Sequence, residues 1–100
     1  MTVIVTDHHL PADETPPADA IINPNQRGCT FPSKSIAGCG VAFYFASALY
    51  HEYFKHHHPQ CINPMELLDL VAIGTVADVV KLDYNNRWLV WNGLQKLRSN

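Results

Sequence analysis

The sequence predicts an α/β fold in which a small parallel sheet is packed against helices. Two observations lead to this prediction. Short β-branched runs, Val3-Ile4-Val5 and Ala20-Ile21-Ile22, lie near the N-terminus, and apolar stretches of helical length follow them. The chain has 100 residues, 47% of them hydrophobic, which suffices for one domain with a core and argues against intrinsic disorder.

The first strand is predicted at Val3-Ile4-Val5, where an uninterrupted β-branched run is typical of a strand buried on both faces. Polar residues, Thr6 to His9, follow at its C-terminal end, the sheet edge where α/β proteins build their sites. The segment from Leu10 to Pro17 contains three prolines and is predicted to be a loop. A second short strand, Ala20-Ile21-Ile22, is closed by Asn23-Pro24-Asn25.

Three helices are expected after the strands. The first runs roughly from Ala37 to Lys55, opens with Gly38-Cys39-Gly40, and ends at His56-His57-His58-Pro59. The second has Asn63 as N-cap, with Pro64 at the first helical position and Glu66 three residues after the cap.

The second helix is expected to continue through Gly74 to Val80, which would place Asp78 in apolar surroundings. After a turn at Asp83 to Asn86, a last helix spaces Val90, Leu94 and Leu97 along one face.

Composition excludes several classes of protein. A net charge of -2 and a pI near 6.3 provide no broad basic face, so the chain is not a self-sufficient DNA-binding module. Its three cysteines are odd in number and lack C-x-x-C spacing, which argues against a disulfide framework or structural zinc. The longest apolar stretch, Val41 to Tyr50, is too short to cross a bilayer, and no signal peptide is evident. We therefore expect a cytoplasmic protein without a membrane partner.

Asp7-His8-His9 are the main candidate functional residues. Two imidazoles and a carboxylate at a strand end can bind a transition metal or orient a phosphate, although solvated loop histidines and a turn-capping aspartate are the plain alternative. Asp78 favours the metal interpretation, because a carboxylate among valines is costly to bury unless it is paired or bound. Its alternatives are a helix-end cap or a partner for Lys81.

Four segments together resemble one family in order and spacing, and the resemblance covers nearly the whole chain, from Val3 to Arg98. These are Val5-Thr6-Asp7-His8-His9, Asn23-Pro24-Asn25, Ala37-Gly38-Cys39-Gly40-Val41-Ala42-Phe43 and Leu70-Val71-Ala72-Ile73-Gly74-Thr75-Val76-Ala77-Asp78-Val79-Val80. The family is the DHH phosphoesterases, and within it the RecJ-type single-stranded-DNA-specific exonucleases. The resemblance implies part of a Rossmann-like parallel sheet with packed helices, an incomplete DHH domain.

The resemblance also implies roles for individual residues. His8 and Asp78 would be ligands of one metal ion, with His9 facing the scissile phosphate or completing the metal shell. Asp7 would orient the histidines. Three further residues are candidates for substrate binding, each with a plainer alternative: Gly38 and Gly40 by close backbone approach or by helix-to-sheet packing, and Asn23 by contact with substrate or simply by forming a turn.

For the enzyme, the resemblance implies stepwise hydrolysis of single-stranded DNA from the 5′ end in recombination and repair, with two Mn²⁺ or Mg²⁺ ions. Family members carry further aspartates before the Asp-His-His strand and a second domain after the catalytic one. Residues 1–100 are therefore expected to be a partial DHH domain, inactive alone and prone to self-association through exposed sheet surfaces. The alternatives are a small-substrate phosphatase of the same family, such as a pyrophosphatase or nano-oligonucleotide phosphodiesterase, and a non-catalytic folding or interaction module.

Other conspicuous residues are expected to have no part in the site. Consecutive helical positions point in different directions, so His56, His57 and His58 are predicted to form a solvated helix end. Trp88 and Trp91 could stack on bases, but packing in the core or between segments is the preferred interpretation. Arg27, Lys34 and Lys81 could contact DNA phosphates, with solvated charges preferred.

Overall fold

The computed structural model describes residues 1–99 and confirms the α/β class. Strands β1 (Ile4–Thr6) and β2 (Ala20–Ile22) pair in parallel, with Ile4 opposite Ala20 and Thr6 opposite Ile22. A hydrogen bond from the Asp7 backbone N–H to the Ile22 carbonyl, 3.0 Å, continues the pairing beyond β1. The C-terminal ends of both strands therefore lie at the same edge of the sheet.

Strand β1 is not buried on both faces, contrary to the prediction. Val3 is 40% exposed and Ile4 50% exposed, while Val5 is only partly buried. The β-branched run correctly indicated a strand, but burial depends on neighbours. Within residues 1–99, β1 pairs with β2 alone.

A long helix follows the loop after β2. It comprises α1 (Gly38–Leu49), a π-helical turn (Tyr50–Phe54) and α2 (Lys55–His57), and the backbone stays helical across both junctions. The prediction of one helix from Ala37 to Lys55 is thus confirmed to within two residues at its end. The π-helical turn was not predicted.

The next helix begins as the cap signal predicted. The Asn63 side chain accepts a hydrogen bond from the Met65 N–H, and a 3₁₀ turn (Pro64–Leu67) leads into α3 (Leu68–Ala77). The helix does not continue to Val80. Asp78 is its C-cap, and Val79 adopts a left-handed conformation with φ of 56°.

The last helix, α4 (Tyr84–Arg98), starts earlier than predicted. Asp83 is its N-cap and accepts a hydrogen bond from the Asn86 N–H at 2.9 Å, so the expected turn from Asp83 to Asn86 is instead a capped first turn. The buried face is also different. Asn86, Leu89 and Gly93 are buried, whereas the predicted Leu97 is 44% exposed.

Gly93 explains this change of face. A β-carbon at this position would collide with the Leu68 carbonyl oxygen and with Cβ of Ala72 in α3. The missing side chain lets α3 and α4 approach closely, and this pair forms the most extensive contact between elements. Periodicity of large apolar residues does not detect a glycine-centred contact.

The core lies where α1, α3 and α4 meet the loop before α1. Its buried apolar members are Ile36, Val41, Phe43, Leu68, Val71 and Leu89. Both tryptophans lie outside it, since Trp88 is 39% and Trp91 63% exposed. They are not part of the core of residues 1–99, and packing between segments stays a prediction. All three cysteines are free, as expected. Residues 1–99 include no helix with the length and apolar character needed to cross a membrane.

Candidate metal centre

The sheet edge gathers the predicted site residues. Asp7, His8 and His9 follow β1, and Asn23 and Asn25 follow β2. Parallel pairing places these two polar segments side by side. The potential ligand atoms of Asp7, His8 and His9 all lie within 4.8 Å of one another, as the sequence prediction requires.

The Asp7 carboxylate organises its two neighbours. Its Oδ1 accepts hydrogen bonds from the His8 backbone N–H at 2.7 Å and the His9 backbone N–H at 3.2 Å, and lies 2.6 Å from His9 Nδ1. The contact with the His9 side chain lowers the pKa of Asp7 below its ordinary 3.8, and both backbone bonds act in the same direction while burial opposes them. Asp7 is therefore ionised at neutral pH and can only accept, which leaves Nδ1 of His9 as the donor.

His8 and Asp78 meet across the fold. His8 Nε2 lies 3.9 Å from Asp78 Oδ2, although one residue follows β1 and the other ends α3. Gly38, the first residue of α1, makes room for this approach, because a methyl group there would lie 3.3 Å from His8 Cδ2. The structure thus brings together both predicted metal ligands.

Asp78 is not in apolar surroundings, and that part of the prediction is wrong. Its side chain is 45% exposed, and its neighbours Val76 and Val79 are 57% and 88% exposed. The sequence places valines around Asp78, but the helix ends there and turns them to solvent. The carboxylate is consequently accessible to an ion.

Asparagines hold the backbone of the two histidines. Asn23 is 5% exposed; its Nδ2 donates to the His9 carbonyl at 2.9 Å, and its Oδ1 accepts from the Asn25 backbone N–H at 2.9 Å. Asn25 Nδ2 donates to the His8 carbonyl at 2.8 Å and to the Lys34 carbonyl at 2.9 Å. Sequence reasoning missed Asn25. The available signal was an amide side chain following the strand that pairs with β1.

The remaining residues predicted to bind substrate or DNA phosphates do not share one environment. A β-carbon at Gly40 would meet the Ile36 side chain, so this glycine faces the core. Lys34 is not simply a solvated charge, since its Nζ donates to the Pro24 and Cys29 carbonyls. Arg27 and Lys81 are exposed, as preferred.

The predicted histidine helix end is confirmed. His56, His57 and His58 are exposed, and His57 stacks on Tyr53 with ring centroids 4.1 Å apart and planes 8° apart. Among residues 1–99, the ligand atoms of Asp7, His8 and His9 converge within 4.8 Å of one another, whereas those of the His56–His58 run do not.

The donor set fits a divalent ion. Imidazole nitrogens with carboxylate oxygens suit first-row metals, and metal–ligand bonds of about 2.1 Å place two ligands of one ion at most about 4.2 Å apart. The 3.9 Å between His8 Nε2 and Asp78 Oδ2 is inside that limit. The half-buried His8 and the accessible Asp78 could therefore hold one ion without rearrangement of the backbone.

Comparison with known proteins agrees with this geometry. The family described as the DHH family, N-terminal domain, matches residues 1–75, which is most of the chain and includes the Asp-His-His segment. The chain belongs to the DHH family.

Curated relatives within the DHH family are named single-stranded-DNA-specific exonuclease RecJ. The protein of Escherichia coli is 58% identical over 97% of this chain and 18% of its own length. That of Bacillus subtilis is 49% identical over 98% of this chain and 11% of its own, and that of Thermus thermophilus 39% identical over 95% and 13%. The chain spans less than a fifth of the length of these relatives.

A solved structure shares the fold of this DHH-family chain. The crystal structure of exonuclease RecJ bound to manganese superimposes with a TM-score of 0.75 and 38% sequence identity, covering 94% of this chain and 22% of the other. A two-stranded parallel sheet with packed helices is therefore a recognisable part of a known DHH-family architecture.

Proposed function

We propose that this chain forms part of the catalytic domain of a metal-dependent exonuclease that hydrolyses single-stranded DNA from the 5′ end, in DNA recombination and repair. One observation carries the proposal: His8 and Asp78 converge to 3.9 Å beside the Asp7–His9 pair, in a chain whose relatives are named single-stranded-DNA-specific exonucleases. An enzyme with this substrate would work in the cytoplasm.

His8 and Asp78 are proposed to bind one ion, Mn²⁺ or Mg²⁺. Manganese is bound in the similar RecJ crystal structure, and oxygen-rich sites also accept magnesium. When bound, such an ion stabilises charge on phosphoryl oxygens and lowers the pKa of water. Two-metal hydrolysis needs more carboxylate ligands than Asp7 and Asp78 supply, so the activity is assigned to a protein longer than this chain.

Asp7 and His9 are proposed as the catalytic pair. The Asp7 carboxylate accepts from Nδ1 of His9, which leaves Nε2 free on the opposite side of the ring. The His9 side chain is 74% exposed, so this nitrogen can reach a scissile phosphate or a metal ion. Asp7 fixes the orientation of the ring and does not itself need to contact the substrate.

Of the proposed substrate-binding residues, Gly38 is best placed. It begins α1 beside His8, where free backbone N–H groups of a helix suit a phosphate. Gly40 supports that position from the core by packing against Ile36. Asn23 acts on the site through the His9 carbonyl.

The test uses 5′-labelled single-stranded DNA with millimolar Mn²⁺. Three proteins are compared: this chain, the E. coli relative, and a chimaera in which this chain replaces the matching segment of that relative. We expect the relative and the chimaera to release nucleotides and this chain to release none. Asp78→Ala should silence the chimaera, whereas Asp69→Ala, which removes a carboxylate from the start of α3, should not.

Two results would contradict parts of the proposal. Nucleotide release by this chain alone, abolished by Asp78→Ala, would mean that His8, His9 and Asp78 suffice for chemistry and would overturn the assignment of the activity to a longer protein. A folded chimaera that binds single-stranded DNA without cutting it would favour the non-catalytic module.

A further inference from the structure

We propose that Asn23 and Asn25 are positioning residues that fix the two imidazoles of the metal centre by holding their backbone carbonyls. The part of this inference that concerns metal affinity rests on the proposed function. The observation behind it does not depend on a metal: Asn25 donates to the His8 carbonyl, and Asn23 donates to the His9 carbonyl. We name this pair of amides the asparagine clamp.

The clamp matters because side chains hold this segment: the Asp7 carboxylate accepts from the N–H groups of His8 and His9, and the two amides donate to their carbonyls. The last backbone hydrogen bond between the two strands joins Asp7 to Ile22. Beyond it, the loop that begins at Leu10 has no regular secondary structure. His8 and His9 thus lie just past the last strand pairing. Side-chain bonds to their carbonyls replace the missing ladder.

Both asparagines are themselves immobilised. Asn23 uses both ends of its amide, and its own carbonyl accepts from the Gln26 N–H, so residues 23–26 form a closed turn. Asn25 shares its Nδ2 between His8 and Lys34, which ties the histidines to the loop before α1. The clamp therefore sets the position of His8 relative to Gly38 and α1.

The clamp needs a side chain that donates hydrogen bonds at both positions. Aspartate has nearly the same shape as asparagine but no N–H groups, so a carboxylate oxygen would face each histidine carbonyl. In Asn23→Asp, Oδ1 still accepts from the Asn25 N–H, so the turn survives while the bond to His9 is lost. This substitution therefore tests the bond to His9 without breaking the turn.

The test uses the whole 100-residue chain as wild type, Asn23→Asp, Asn25→Asp and Asn25→Ala. Asn92→Asp and Asn92→Ala are matched controls, because Asn92 donates to the Trp88 carbonyl within α4. Two quantities are measured: ¹⁵N order parameters of His8 and His9 without metal, and Mn²⁺ affinity by electron paramagnetic resonance. Circular dichroism establishes that each variant is folded at the working temperature.

We expect the order parameters of His8 and His9 to fall from about 0.85 to below about 0.6 in the clamp variants and to stay unchanged in the Asn92 variants. Mn²⁺ affinity should fall about tenfold or more, as for other groups that orient metal ligands. The fall in Asn23→Asp and Asn25→Asp would be diagnostic, since an added negative charge alone would strengthen cation binding.

Unchanged order parameters in folded Asn25→Ala and Asn23→Asp would overturn the clamp, whatever the metal data show. Lower order with unchanged Mn²⁺ affinity would overturn its role in the metal centre. If the wild-type chain bound no Mn²⁺, the proposed metal site would fail separately, and the relaxation data would still decide whether the amides hold the histidines.

Discussion

His8 Nε2 and Asp78 Oδ2 lie 3.9 Å apart, although 70 positions separate the two residues in the sequence. The contact joins the end of a strand to the end of a helix, and neither residue has a structural need for the other, since 3.9 Å is too long for a hydrogen bond. The proposed shared cation would account for a mostly buried imidazole and an accessible carboxylate at this spacing.

Asp78→Asn should weaken Mn²⁺ binding by about tenfold or more while leaving the fold intact, because the amide keeps the shape of the side chain and removes its charge. His8→Ala should have at least as large an effect. The measurement is a Mn²⁺ titration at constant ionic strength. Asp69→Asn removes the same charge from the first turn of α3 and should change the affinity little; equal losses in Asp69→Asn and Asp78→Asn would indicate a general charge effect.

Val79→Gly should stabilise the protein by about 1 kcal/mol. Val79 adopts φ of 56°, and a left-handed conformation costs a β-branched residue about 1–2 kcal/mol, part of which the greater freedom of glycine in the unfolded chain offsets. Its 88% exposure means that little apolar burial is lost. Urea unfolding measures the change. Val76→Gly, three residues earlier within α3, should instead destabilise by about 1 kcal/mol; the same sign for both variants would refute the strain.

Stability should fall above pH 10 through Tyr44. Burial raises the pKa of its hydroxyl above the ordinary 10.0, and the charge of Asp83 acts in the same direction. The folded state therefore holds this proton more tightly, so the contribution is complete below pH 10 and is lost as pH rises through the folded pKa.

Tyr44→Phe should remove that part of the pH dependence in unfolding curves recorded from pH 8 to 11, because the phenylalanine has no proton to lose. Tyr84→Phe, at a position 77% exposed, should leave the dependence unchanged. Identical curves for wild type and Tyr44→Phe would contradict this assignment.

Self-association is expected at high concentration. Val3 and Ile4 expose apolar surface on a sheet of two strands, and an edge of this kind pairs readily with another chain. Sedimentation velocity should show dimers or larger species, reduced by Ile4→Lys but not by Leu97→Lys, a change at a 44% exposed position on α4. A monomer at all concentrations would count against this prediction.

Local signals in the sequence predicted local structure well. The run Ala20-Ile21-Ile22 is β2 to the residue, and the Asn63–Pro64 signal marks a true helix start. These features depend on a few adjacent residues. The burial of β1 and of Asp78 was predicted wrongly because burial depends on which elements cover a residue, and residues near in sequence do not specify that.

The site was predicted in part. Asp7, His8, His9 and Asp78 were chosen from residue type and from a family resemblance, and the structure brings them together. The amide of Asn25 was missed because its bond to the His8 carbonyl spans 17 positions and leaves no periodic trace. Close packing at Gly93 was missed for the same reason, since a contact made by an absent side chain appears only in three dimensions.

The most direct test of the shared metal centre is paramagnetic broadening by Mn²⁺ in NMR spectra of this chain. At a substoichiometric amount of Mn²⁺, signals of His8, His9 and Asp78 should broaden first and together, and the exposed His56, His57 and His58 should keep their line widths. Broadening confined to the His56–His58 run, or broadening at His8 without Asp78, would contradict a single ion held between the end of β1 and the end of α3.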